Sequence, residues 1–420
     1  MFGHYCASGS GSGLPGPLVR SSRRGRALTT VGILVAISLM AAGCGLSGPS
    51  PKPQVTQLPI RLGLLLPLSG DSRTTGEAMR VASQMAVDRE NANGGVHGRR
   101  IELITLDDAC DPQTAVIAAN KLVASRVAVS VGGYCSSATL PTLPILRTAG
   151  IPMILPAANS QDLLQPGYDS VFLLNGTGSR EAVVALTWMR QLGAHRVALV
   201  DDGTSYSANI TDVAAERLKV GAGPTGLSLR LRLRITQGAK QFTAAAASVR
   251  SSGSDVVYFT GYTAEAGRLT RDLRETGYRG LIMVADGCAD AALSTFAEGR
   301  AEGVYATTPP LAQDLPLPSW WTAEYQRRAG AAPGPYTVQA YDSVTIAVDA
   351  LRRLPPDSDG PTIARAIAAT KGLRLLFGMG AFDPDHTLSG FAFTLRRVRS
   401  GRFVLVRTGN RRVGTKPAGA

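Results

Sequence analysis

Two fragments decide the reading: Ile60-Arg61-Leu62-Gly63-Leu64-Leu65-Leu66-Pro67-Leu68-Ser69-Gly70 and Ile101-Glu102-Leu103-Ile104-Thr105-Leu106-Asp107-Asp108-Ala109-Cys110-Asp111-Pro112. Each is a short aliphatic run stopped by Pro, Gly or Asp, the pattern of a buried strand entering a loop. Between them, residues 77–91 place Ala78, Val81, Ala82, Met85 and Ala86 on one helical face, and Asn93-Gly94-Gly95 makes a turn. After the second fragment Asp111 caps a helix that begins at Pro112, since proline suits the first helical position. Strand, helix, strand, helix in this order implies a parallel sheet covered on both faces.

The rhythm continues outward. Residues 127–131 and 151–155 read as strands with a helix between them. After Asn175 a second series starts: helix 180–192, strand 196–200, helix 208–219, strand 229–235, then strands 256–259 and 281–284, each preceded by a helix. In residues 229–235 Leu and Arg alternate, which predicts a half-exposed edge strand. The expected fold class is therefore α/β, with two doubly wound lobes. Such sheets bind ligands outside the carboxyl ends of their strands. The loops that matter are then residues 67–70, 107–112, 132–137, 156–159, 201–203, 260–262 and 285–287, which carry hydroxyls, glycines, tyrosines and carboxylates.

The chain has 420 residues, room for two lobes, with 44% hydrophobic and 18% charged residues, a globular composition. Its most apolar segment, residues 31–42, is twelve long, and crossing a bilayer takes about twenty. Preceded by Arg20, Arg23, Arg24 and Arg26 and followed by Ala41-Ala42-Gly43, it reads as a signal peptide over residues 1–43. The arrangement around Cys44 resembles a bacterial lipobox, with Ala41 where Leu is usual; it implies lipidation of Cys44 and a tether over residues 44–57.

The net charge of +13 would become +9 on loss of the leader, which holds four Arg and no acid. Eight basic residues follow His386 without an acid; Arg396, Arg397, Arg399 and Arg402 among them read as a solvated face, not a nucleic-acid site, because no aromatic residues interleave them. Of five cysteines, Cys6 lies in the leader and Cys44 at the lipid site. The remaining Cys110, Cys135 and Cys288 allow one pair and one free thiol. His97, His195 and His386 follow no strand at the ligand edge, and no nucleophile elbow or phosphate loop occurs. The expectation is a binding protein with no catalytic residue, no metal and no cofactor.

In their order and in their placement after successive strands, Asp107-Asp108-Ala109-Cys110-Asp111-Pro112, Cys135-Ser136-Ser137, Gly261-Tyr262 with Glu265, and Pro335-Tyr336 resemble the leucine/isoleucine/valine-binding proteins. These have the type I periplasmic-binding fold, and the resemblance runs from about residue 58 to 406. It implies a Cys110–Cys135 disulfide. It implies further that Ser136 donates to the carboxylate of a bound amino acid with Asn159 beside it, and that the Ala158 carbonyl faces the ammonium. Asp286, where the family carries Glu, would pair with that ammonium, with Tyr262 and Tyr206 from the second lobe closing over the ligand. Asn159 stands where the family places Thr, and Thr75 and Gly76 stand where a bulkier residue lines the side-chain pocket, so a roomier or more polar pocket is expected.

The resemblance also implies three crossings between lobes, near Asn175, Thr308 and Gly378. Lobe 1 would then hold residues 58–176 and 308–378, lobe 2 residues 177–307 and 379–412, and residues 413–420 a tail. The implied function is a lipid-anchored, extracytoplasmic monomer that hands an amino acid, branched-chain or similar, to the permease of an ABC importer. A ligand-sensing lipoprotein of the same fold, or a binder of an amide or urea, are the alternatives.

Overall fold

The run Ile60–Leu66 (β1) pairs in parallel on one side with Ile101–Asp107 (β2) and on the other with Val129–Ser130 (β3). This is seen in a computed structural model that describes residues 58–164, 168–219 and 226–406. The proposed leader, Cys44, the tether up to residue 57 and residues 413–420 lie outside the described residues. Met153–Leu155 (β4) and Val171–Leu173 (β5) complete a parallel sheet of order β2-β1-β3-β4-β5. Leu62, Leu64 and Leu66 on β1 are fully buried, as a strand covered on both faces requires.

The second sheet contains Arg196–Asp201 (β6), Ser228–Arg234 (β7), Val256–Phe259 (β8), Leu281–Val284 (β9) and Tyr305–Thr308 (β10). A hairpin follows, Lys371–Arg374 (β11) with Met379–Ala381 (β12), and then Thr394–Arg399 (β13) and Arg402–Leu405 (β14). Its order is β14-β13-β10-β9-β8-β6-β7, with β13 and β14 antiparallel. Read from β7, its parallel part has the strand order of the first sheet. Each lobe thus has one switch point, between β1 and β3 and between β6 and β8, where helices leave to opposite faces and a crevice opens. β7 is an edge strand of alternating exposure, and its Arg234 Nε donates to Asp201 Oδ1 at 2.6 Å.

Local chemistry sets several element boundaries. Asp111 accepts from the Thr114 N–H at 2.8 Å ahead of Pro112, the cap read from sequence. After β10 the chain returns to the first lobe: the helix Thr337–Arg352 packs on Arg73–Ala92, where Ser83 Oγ donates to the Ala340 carbonyl at 3.2 Å. Ser343 Oγ donates to the Val131 carbonyl beyond β3 at 3.0 Å.

Three expectations are corrected. The third crossing lies beyond Gly378. Leu173 of β5 still donates its N–H to the His386 carbonyl at 3.0 Å and accepts the Leu388 N–H at its own carbonyl at 2.9 Å, and the second sheet resumes only at Thr394. Arg396 is not on a solvated face; it is fully buried and ion-paired to Asp314. Gly76 does not enlarge a pocket. A Cβ there would stand 1.8 Å from the Pro67 carbonyl oxygen, so glycine is what lets the helix start pass the end of β1.

Candidate ligand-binding site

The loops after the two switch points face each other. Ser136, Ala158 and Asn159 come from the first lobe, Tyr206, Tyr262 and Asp286 from the second, and all six are buried. Cys135 caps the four-residue helix Ser136–Thr139, so Ser136 is its first residue and does not cap it with its side chain. Its hydroxyl oxygen instead accepts the N–H groups of Asn159 at 3.2 Å and Ser160 at 3.1 Å. A hydroxyl offers two acceptor lone pairs and one proton, so two acceptances leave the proton available to a ligand. Ala158 donates its N–H to the Gly133 carbonyl at 3.1 Å, fixing the loop after β4 against the loop after β3.

The Cys110–Cys135 bridge forms, across 25 residues, and ties the loops after β2 and β3 together one residue before Ser136. Among the described residues Cys288 is the free thiol, and it is buried. Removing the bridge by Cys110→Ala with Cys135→Ala is expected to cost ~3 kcal/mol of unfolding free energy. Denaturant melts measure this directly, and an unchanged midpoint would count against it.

Asp286 is the centre of the site. Only 2% exposed, it accepts at Oδ1 from the Tyr206 hydroxyl at 2.6 Å. At Oδ2 it accepts from Asn175 Nδ2 at 2.7 Å and Asn159 Nδ2 at 3.4 Å. These donors are two amides and a phenol, and none carries charge. Tyr206 also accepts the Gly287 N–H at 2.8 Å, which locks the loop after β9. Behind it stands Glu181 on the helix Gly178–Gln191, fully buried, whose Oε1 accepts the Asp286 N–H at 2.8 Å and the Thr307 hydroxyl. Burial, and then the neighbouring Asp286 charge, push the Glu181 carboxyl well above the usual range.

A layer of tyrosines covers this carboxylate. Tyr206 and Tyr262 have ring centroids 5.3 Å apart, Tyr134 and Tyr262 5.9 Å, and Tyr134 and Tyr336 5.6 Å. Tyr336 precedes the helix Thr337–Arg352 with φ of 61°, a left-handed backbone that aims its ring back into the crevice. The Tyr134 hydroxyl reaches the Gly287 carbonyl at 3.5 Å across the lobes.

The six residues expected from sequence thus converge, though through a network that includes residues not expected: Asn175, Glu181, Tyr134 and Tyr336. Asn175 was visible only as a crossing point. Glu181 follows a Thr-Gly-Ser helix start, where an acid reads as a favourable first-turn charge. Tyr134 and Tyr336 stood in loops already singled out, and their ring size was the available signal.

Two α/β lobes of matching topology, meeting over a buried carboxylate and an aromatic layer, are the architecture of a solute-binding protein. The chain belongs to the periplasmic binding protein family, whose model matches residues 59–402. It is a binding protein and not an enzyme. The leucine-, isoleucine-, valine-, threonine- and alanine-binding protein of Pseudomonas aeruginosa is 28% identical over 337 residues, 80% of this chain and 89% of the relative. An amino acid binding protein of the same organism is 33% identical over 290 residues, 67% of this chain and 75% of the relative. Among solved structures, a leucine binding protein from Thermotoga maritima superimposes with a TM-score of 0.76 at 23% identity, covering 83% of this chain and 98% of that one. A solute-binding protein from Rhodopseudomonas palustris in complex with benzoate does so with 0.73 at 18% identity, covering 85% and 99%. The fold alone therefore does not choose the solute.

Proposed function

We propose that this chain is an extracytoplasmic solute-binding lipoprotein, anchored through Cys44, that captures a free amino acid between its lobes and delivers it to the permease of an ABC importer. One observation carries the ligand class: Asp286 is a buried carboxylate whose partners are all uncharged. A buried anion without a cation is unfavourable, and a ligand ammonium supplies the missing charge. Asn159 Oδ1 and Asn175 Oδ1, which have no hydrogen-bond partner among the described residues, would offer the ammonium further acceptors. The ligand carboxylate would lie at Ser136, whose proton is available. The names of the curated relatives agree with an amino acid as the solute.

Thermal shift of the purified chain against amino acids, amides and carboxylic acids tests this. A ligand at 100 times its Kd is expected to add ~2.7 kcal/mol to the stability. A rise in melting temperature with urea or an organic acid, and with no amino acid, would overturn the assignment of Asp286.

A further inference from the structure

Beyond the tyrosine layer lies a half-open cavity of about 400 Å³, within the range of small-molecule sites. Tyr134 and Tyr262 line it, and both adjoin the carboxylate network: Tyr134 reaches the Gly287 carbonyl, and Tyr262 packs on Tyr206, which holds Asp286. Tyr262 is 7% exposed, and its hydroxyl has no hydrogen-bond partner among the described residues. Only one tyrosine layer separates the cavity from Asp286. The side chain of an amino acid held by its ammonium at Asp286 and its carboxylate at Ser136 would reach this cavity by passing the Tyr134 and Tyr262 rings that line it.

The walls do not suit a branched aliphatic chain. Ser72, Thr74 and Thr75 bring hydroxyls from the first lobe; Gln237, Glu265 and Asp290 bring acceptors from the second. Phe296, the Tyr134 and Tyr262 rings and the small side chains of Ala109, Ala264 and Ala292 supply the apolar part of the wall. Glu265 is 4% exposed and accepts the Gly238 N–H at 2.8 Å; Asp290 accepts the Ala292 N–H at 2.8 Å and forms no ion pair among the described residues. Asp71 at the rim differs, since Lys240 and Arg268 already offset its charge at 3.5 and 3.4 Å. Covering Glu265, Asp290 and the hydroxyls with a leucine side chain would strip their water and return no hydrogen bond.

We propose that this cavity receives the ligand's side chain and selects one that donates hydrogen bonds, an amide or a cation, over the branched aliphatic ones. The inference rests on the reading of Asp286 as the ammonium partner. Calorimetric titration of the whole purified chain with glutamine, lysine and arginine against leucine, isoleucine and valine tests it. At least one of the first three is expected to bind tenfold or more tightly than the best aliphatic, and Asp290→Ala is expected to shrink that preference below threefold. Asp290→Asn separates the two chemistries: it weakens lysine and arginine if the selected group is a cation and spares glutamine if it is an amide. Aliphatic amino acids binding as tightly as the others would overturn this inference and leave the proposed function standing. Binding of no amino acid at all would overturn both, and a preference unmoved by Asp290→Ala would remove the cavity from the site.

Discussion

Asp286→Ala is expected to abolish amino-acid binding while the lobes remain folded. The carboxylate is buried and has no cationic partner among the described residues, so the ligand ammonium would lose its counter-charge in a place water does not reach. Truncating one partner of a buried, hydrogen-bonded charge pair costs about 2–5 kcal/mol, or roughly a 30- to 5,000-fold loss of affinity. Folding survives for a specific reason. The substitution leaves the Tyr206 hydroxyl proton without its acceptor, at about 1–3 kcal/mol, and the Asn175 amide with the Ala157 carbonyl alone, but it also removes the negative charge beside buried Glu181. Asp286→Asn keeps the volume and one acceptor and is expected to lose affinity in the same range with less effect on the melt. Calorimetric titration with the amino acid identified by thermal shift measures the first effect, and a thermal melt the second. Unchanged affinity in both variants would remove Asp286 from the ligand.

The same residue marks how far sequence reading reached. Strands β8 and β9 lie where periodicity places them, because each is a continuous apolar run with a charged or glycine-rich boundary on either side. A residue immediately after such a strand is therefore located with it, and this is why Asp286 and Tyr262 were legible. β5 was not legible: Val171-Phe172-Leu173 is three residues long, too short to declare itself, and with it went the role of Asn175 just beyond. Glu181 was hidden by a different ambiguity. A glutamate in the first turn of an amphipathic helix ordinarily faces water, and only the fold shows that this helix start is sealed beneath β10 and the Asp286 loop.

The C-terminal stretch failed in the opposite direction. Charge density suggested a solvated surface for Arg396, yet this position alternates inward on β13, between Leu395 and Arg397. A strand's period of two decides which face a residue takes, but the sequence alone does not say which face is covered. Here Thr308 at the second crossing and Asp314 just after it roof the inner face.

That pair, with Arg396 fully buried and Asp314 15% exposed, gives the second large expected effect. The Arg396 guanidinium is ion-paired to Asp314, donates through Nε to Thr308 Oγ1 at 3.3 Å, and through Nη1 to the Phe403 carbonyl at 3.4 Å. It thus joins β13, β14 and the segment where the chain leaves β10 for the first lobe. Arg396→Met fills much of the volume but strands the Asp314 carboxylate, which among the described residues then retains only the Leu311 N–H at 2.9 Å. Breaking a buried pair in this way costs about 3–5 kcal/mol, whereas replacing both charges by apolar groups is often neutral. The expected order of stability is therefore wild type close to Arg396→Met with Asp314→Leu, and both well above Arg396→Met alone. Denaturant melts of the four members of this cycle give the coupling directly. Because the pair lies on the inter-lobe connection and not at the ligand, the single variant is expected to lower the midpoint without changing which amino acid is preferred. A single variant as stable as wild type would mean that Asp314 finds water at this crossing, and that the connection is looser than its burial implies.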